Sequence, residues 1–117
     1  MAPKLTGNRY VLAVKNLEIS ARFYKDKLGF QTVGEEGGWH FLAKDSINIM
    51  LGECPQEKPA SEIGDHSYFA YWEVLHIDEL YNEYRSKQIE PLSAIEDKPW
   101  GQREFFYTDC CWAQNYL

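Results

Sequence analysis

A chain of 117 residues is long enough for one domain and too short for two independent ones. Hydrophobic residues make up 44% and charged residues 26%, which excludes disorder as the default and fits a globular protein. A net charge of −6 argues against nucleic acid, whose phosphates need a basic surface; it would attract a cationic ligand over long range and equally well serves solubility alone. No apolar run approaches the roughly 20 residues of a membrane-spanning helix. The polar stretch 1–8 lacks the apolar centre of a signal peptide, and Cys54, Cys110 and Cys111 give an odd count without a disulfide framework. These features lead to the expectation of a cytoplasmic protein. Aromatic residues reach 15%, so some rings are left over to line a pocket or an interface.

Residues 9–15 read as a strand rich in apolar and β-branched side chains. Asn16 caps a predicted helix on which Leu17, Ala21, Tyr24 and Leu28 recur at helical spacing, and Gly29 supplies the left-handed stop. Strands follow at 30–35, 39–43 and 47–51, separated by Gly37-Gly38 and by Lys44-Asp45-Ser46. The first half therefore reads βαβββ. Residues 53–66, polar and with two prolines, form the natural linker. The pattern then restarts with a strand at 68–74 and a helix marked by Ile77, Leu80, Tyr81 and Tyr84. A Pro-interrupted segment at 91–100 precedes a strand at 103–107.

Sliding the chain on itself by 60 positions aligns Val14 with Val74, Leu17 with Ile77, Tyr24 with Tyr84 and Lys27 with Lys87. The matches fall on equivalent points of two strand–helix units and support a duplicated module. Strand parity puts Leu12, Val14, Ile47, Ile49, Leu51, Trp72 and Val74 against the helices. Arg9, Val11, Asn48, Met50, Phe69, Tyr71 and Glu73 share the opposite face. Its mixture of aromatic, polar and charged groups suits a binding groove. The expected architecture is α+β: two tandem βαβββ modules forming a curved, mostly antiparallel sheet with helices on its outer face. Residues 1–117 make one domain, with module one at about 9–52, the linker at 53–66 and module two at about 67–117.

Three stretches carry a resemblance: Val14-Lys15-Asn16-Leu17 with Phe23-Tyr24 and Leu28-Gly29-Phe30; Ile49-Met50-Leu51; and Pro99-Trp100-Gly101-Gln102-Arg103-Glu104-Phe105 with Thr108-Asp109. In this order they resemble the glyoxalase/bleomycin-resistance/dioxygenase (vicinal oxygen chelate) superfamily, in its bleomycin-resistance-like branch. Metal-dependent members of that superfamily use His and Glu ligands on the concave face. The resemblance maps their positions onto Arg9, Met50 and Phe69, none of which suits a hard or borderline divalent ion. His40, His66 and His76 have no metal-motif spacing. No metal, no cofactor and no catalytic residue is therefore expected. Nor is there a Ser-His-Asp signature or a phosphate loop.

The resemblance implies a metal-independent dimer that sequesters a cationic or planar aromatic ligand, bleomycin-like, in a groove between subunits, and so a role in antibiotic resistance. Candidate ligand-binding residues are Trp39, Phe41, Met50, Phe69, Tyr71, Glu73, Trp100 and Phe105, with Glu104 a further acidic partner. Trp39, Phe41 and Phe105 read equally well as core. Arg103 and Glu104 read in the first place as a pairing across strands, ahead of a ligand role. Two other functions stay open: a metal-dependent lyase, isomerase, dioxygenase or thiol transferase of the same superfamily, and a regulatory or assembly module that senses a metabolite. Two departures from the family pattern stand out. After Asp109 the chain reads Cys-Cys-Trp-Ala-Gln-Asn-Tyr-Leu, without the turn glycine and with little room for a full strand. A truncated or altered last strand is expected, leaving a sheet edge uncovered or residues 110–117 paired with another subunit. Gln88 stands where the first module has Leu28-Gly29, so the second helix is expected to lack its glycine stop.

Overall fold

β1 (Tyr10–Val14) is apolar and β-branched in composition, and it alternates in burial: Leu12 and Val14 turn inward, Val11 and Ala13 outward. The computed structural model describes residues 2–56, 68–90, 92–108 and 114–116; the rest of the linker with His66, and the Cys110-Cys111 pair, lie outside the described residues. Helix α1 (Leu17–Asp26) starts as the sequence predicts: the Asn16 side chain accepts the Ile19 N–H at 3.0 Å. Glu53 on β4 (Ile47–Glu53) accepts the Leu17 N–H at 3.1 Å, so the helix entry is tied to the sheet as well as to its cap. At the other end Gly29 takes a left-handed φ of 79°. Lys44, at the end of β3 (Trp39–Lys44), donates to the Leu28 carbonyl at 2.9 Å. With β2 (Gln31–Glu36) these strands form a sheet of order β1-β4-β3-β2, in which β1 runs parallel to β4 and the other pairs are antiparallel.

The same plan repeats. β5 (Tyr68–Tyr71) leads to α2 (Ile77–Ser86), then to β6 (Glu96–Asp97), β7 (Arg103–Glu104), β8 (Phe106–Thr108) and β9 (Gln114–Tyr116). β5 runs parallel to β9, β9 antiparallel to β8, and β6 antiparallel to β7, which keeps the pairing senses of the first sheet but divides these strands into a three-stranded sheet, β5-β9-β8, and a two-stranded one, β6-β7. The fold is α+β. The predicted strand at 103–107 is split in two at Phe105, and the Pro-interrupted segment carries β6.

Three expectations change. A short last strand does form: Gln114–Tyr116 lies between β5 and β8 of its own chain, so three residues suffice to fill the gap that residues 110–117 were expected to leave. β5 pairs with β9 as far as Tyr71, opposite Tyr116. The chain then leaves the sheet, and Val74, predicted on the helix side, is exposed. The second helix also stops in the left-handed region: Gln88 has φ 59°, and the Ile89 N–H returns to the Tyr84 carbonyl as the Phe30 N–H does to Tyr24. That turn is one residue shorter than the first, which moves the left-handed position onto Gln88.

The core of module one is Tyr24, Leu28, Phe30, Leu42, Ile49 and Leu51; that of module two is Tyr84, Ile89, Phe105 and Tyr107. Trp72 joins them, with its ring centroid 5.8 Å from Phe30 and 6.1 Å from Tyr10. Between the helix ends Lys27 donates to the Lys87 carbonyl at 2.6 Å. No helix of the described residues is long and apolar enough to cross a membrane.

Candidate functional site

Register places the outward face of the first sheet. Trp39 lies opposite Gly52, Phe41 opposite Met50 and Ala43 opposite Asn48, while Val11 meets Met50 from the β1 side. Residues two apart share a face, so Val11, Trp39, Phe41, Asn48 and Met50 form one continuous surface with the helix on the other side. Its centre is apolar, and Trp39 is exposed. The Trp39 ring covers Gly52 so closely that a Cβ there would meet ring carbons at 2.9 Å. Glycine at 52 is what lets the indole lie down on the sheet, a role the sequence reading missed because it depends on the β3–β4 register. Arg9 was also placed on this face, and its guanidinium carbon stands 5.9 Å from the Phe41 ring centroid.

The second group gathers in module two. Glu104 on β7 is only 4% exposed. It accepts the Trp100 indole N–H at 3.0 Å and a hydrogen bond from the Tyr71 hydroxyl. That bond to Glu104 is the main cause pushing the Tyr71 phenol above its ordinary value, with burial and the Glu104 charge adding to it. Trp100 sits in the turn before β7 with Gly101 at φ 88°, and its ring is 64% exposed. Lys98 stands 6.0 Å from that ring centroid and pairs with Glu96 at 2.8 Å. Tyr71 and the exposed Glu73 also line a recess of about 270 Å³ together with Val74, Gln102 and Arg103.

The structure thus sorts the candidate residues. Trp39, Phe41 and Met50 come together on the first sheet, and Tyr71 and Trp100 come together around Glu104, with Glu73 beside Tyr71 at the recess. Phe105 does not join either group: it is 1% exposed and packs edge-on against Tyr81 at 5.0 Å and Tyr84 at 5.9 Å. Alternation along the strand explains this, since a residue next to an outward Glu104 must face α2. The Phe69 side chain lies outside the described parts of the structure. Arg103 does pair across strands, with Asp97 opposite it at 3.1 Å and with Asp78 of α2 at 3.1 Å. Glu104 instead has Glu96 opposite it and turns to Trp100 and Tyr71.

A metal site of the superfamily's usual kind does not fit these residues. The guanidinium of Arg9 stays protonated, the Met50 thioether is a soft donor and Phe69 offers no donor. Among the described residues no three His, Cys, Asp or Glu side chains converge. His40 is buried in the sheet, where its ring nitrogens meet Thr32 Oγ1 at 2.9 Å and Glu35 Oε1 at 3.2 Å. What the two groups can do is stack flat apolar rings and offer carboxylates to a cation.

A model of the Glyoxalase/Bleomycin resistance protein/Dioxygenase superfamily matches residues 7–111. Bleomycin resistance proteins of Geobacillus stearothermophilus and Staphylococcus aureus are each 32% identical to the chain, over 84% of it and 84% of their own length. Among solved structures, a bleomycin-binding protein complexed with bleomycin superposes with a TM-score of 0.81 at 19% identity, covering 97% of both chains. A bleomycin resistance determinant encoded on the transposon Tn5 gives 0.81 at 20% identity, over 97% of this chain and 96% of that one. The bleomycin-binding protein of Streptomyces verticillus, complexed with copper(II)-bleomycin, gives 0.77 at 19% identity, over 98% and 96%.

Proposed function

The chain belongs to the Glyoxalase/Bleomycin resistance protein/Dioxygenase superfamily, and from that premise we propose that it binds and sequesters a small cationic or planar aromatic molecule, of the bleomycin type, without a metal. The ligand lies in a groove between two copies of the chain. The observation that carries this reading is the exposed pair of ring platforms, Trp39 over Gly52 on one sheet and Trp100 beside Glu104 in the other module. Flat rings beside acidic groups suit a ligand that is itself flat and positively charged. The curated relatives at 32% identity are named for resistance to such a compound, which supports the same ligand class here. Met50 and Phe41 complete the apolar floor, Glu73 and Tyr71 extend the acidic side, and Phe69 lies on β5 beside them in sequence.

Titration of EDTA-treated protein with bleomycin, followed by tryptophan fluorescence and calorimetry, tests the proposal. Saturable binding at about one ligand per subunit with micromolar or tighter affinity is the expected result. Trp39→Ala and Trp100→Ala should each weaken it roughly tenfold or more, as truncation of a stacked aromatic anchor does. Heat-free, non-saturating titrations would overturn the reading. Sedimentation of the same protein should give twice the mass of one chain, and a monomer that still binds would remove the shared groove.

A further inference from the structure

Burying a carboxylate is costly unless a countercharge or a full set of hydrogen bonds compensates it. Glu104 is buried, yet its partners are the Trp100 indole and the Tyr71 phenol, both neutral donors. Among the described residues it makes no ion pair. The neighbouring cations are engaged elsewhere: Arg103 holds Asp78 and Asp97, and Lys98 holds Glu96. The register even sets Glu96 opposite Glu104, a like-charge pair that adds to the negative potential. Two hydrogen bonds also leave a carboxylate with spare acceptor sites, since its two oxygens offer about four.

We propose that Glu104 is the residue that reads positive charge in the ligand, and that Trp100 and Tyr71 are the positioning residues that hold its carboxylate for a planar organic cation such as an amidinium or guanidinium. This rests on the binding function above and names the chemistry that module two selects. Both covering rings are accessible, Tyr71 at 43% and Trp100 at 64% exposed, so the carboxylate lies one side chain beneath the surface. A flat cation can stack on the indole and meet the carboxylate edge-on, which combines cation–π attraction with charge-assisted hydrogen bonds. A neutral ligand of the same shape gains the stacking and loses the charge.

Benzamidinium and its neutral isostere benzamide separate those contributions. Each is titrated into the full chain while the Trp100 indole N–H signal is followed by NMR, identified by its loss in Trp100→Phe. The expected result is a saturable shift with benzamidinium at roughly tenfold tighter affinity than with benzamide. Glu104→Gln, which keeps the side-chain shape, should abolish that preference while the other indole signals stay in place. Tyr71→Phe, conservative at an exposed position, should reduce the preference for benzamidinium over benzamide several-fold. Should Glu104→Gln not fold, Tyr71→Phe alone carries the charge-specific readout. Equal affinity for the two probes, no saturable shift, or a preference that survives Glu104→Gln would each overturn the proposal. Failure here is distinct from failure of sequestration. A chain that holds bleomycin without preferring benzamidinium refutes the role of Glu104 alone. One that prefers benzamidinium through Glu104 and ignores bleomycin refutes the bleomycin reading alone.

Discussion

Tyr84, on the buried face of α2, stands edge-to-face with Phe105 at 5.9 Å and Tyr107 at 5.2 Å, and burial pushes its phenol up to about 12. In the unfolded chain the same group titrates near 10. Between those values the unfolded state loses a proton that the folded state keeps, so stability is intact below about pH 10 and falls as pH rises toward about 12. Urea unfolding at pH 8 and pH 11 should show the wild type losing about 1 kcal/mol more than Tyr84→Phe across that interval. Equal losses would mean that the buried phenol ionises freely in the native state. The same scale marks what the sequence disclosed. Trp100, Tyr71 and Glu104 each stood out by residue type, but their meeting depends on β9 fixing the order of the second sheet, which no local pattern encodes. Phe105 was ambiguous for the opposite reason: only the phase of the split strand decides that it faces α2 and not the open face.

Elements were legible where a local rule acts alone. Asn16 caps α1 with its side chain, and Gly29 ends it in the left-handed region, as the sequence signals indicated. The second module obeys the same geometry with the wrong residue for it. Gln88 adopts φ 59°, where a side chain costs about 1 kcal/mol relative to glycine, and the hydrogen bond from Ile89 to Tyr84 holds it there. The sequence shows that the glycine stop is missing but not that Gln88 takes over its conformation, because a tertiary constraint that forces φ positive leaves no trace in composition. Gln88 is exposed, so no packing is lost on replacing it. Gln88→Gly should therefore raise stability by up to about 0.5 kcal/mol, the strain relieved less the added freedom of the unfolded chain. Thermal and urea melts measure this directly, and a loss of stability would show that the left-handed turn is not strained. The short strands taught a different lesson. β5 pairs as far as Tyr71 with β9, a partner about 45 residues away, and no local pattern in residues 68–74 encodes that pairing.

The 60-residue echo found in the sequence reappears as a spatial relation, since Lys27 donates to the carbonyl of its own echo partner Lys87 at 2.6 Å. Two modules joined only through such a surface contact would unfold one after the other. Trp72 argues against that: it belongs to module two by sequence, is 6% exposed, and packs its ring against Tyr10 and Phe30 of module one. β1 and β5 are in contact, so the two sheets adjoin at this ring, and one hydrophobic cluster runs through both halves. A chain of this size with one shared core is expected to unfold in a single step. Far-UV circular dichroism, which reports both helices, and near-UV signals, which report the packed rings, should therefore give coincident urea transitions. Trp72→Ala should lower both together, by about 3–5 kcal/mol, since it removes the largest side chain at the junction and leaves a cavity between the modules. Transitions that separate in the wild type would mean that each βαβββ unit keeps a core of its own. Separation only in Trp72→Ala would locate the cooperativity of the whole molecule in that one ring.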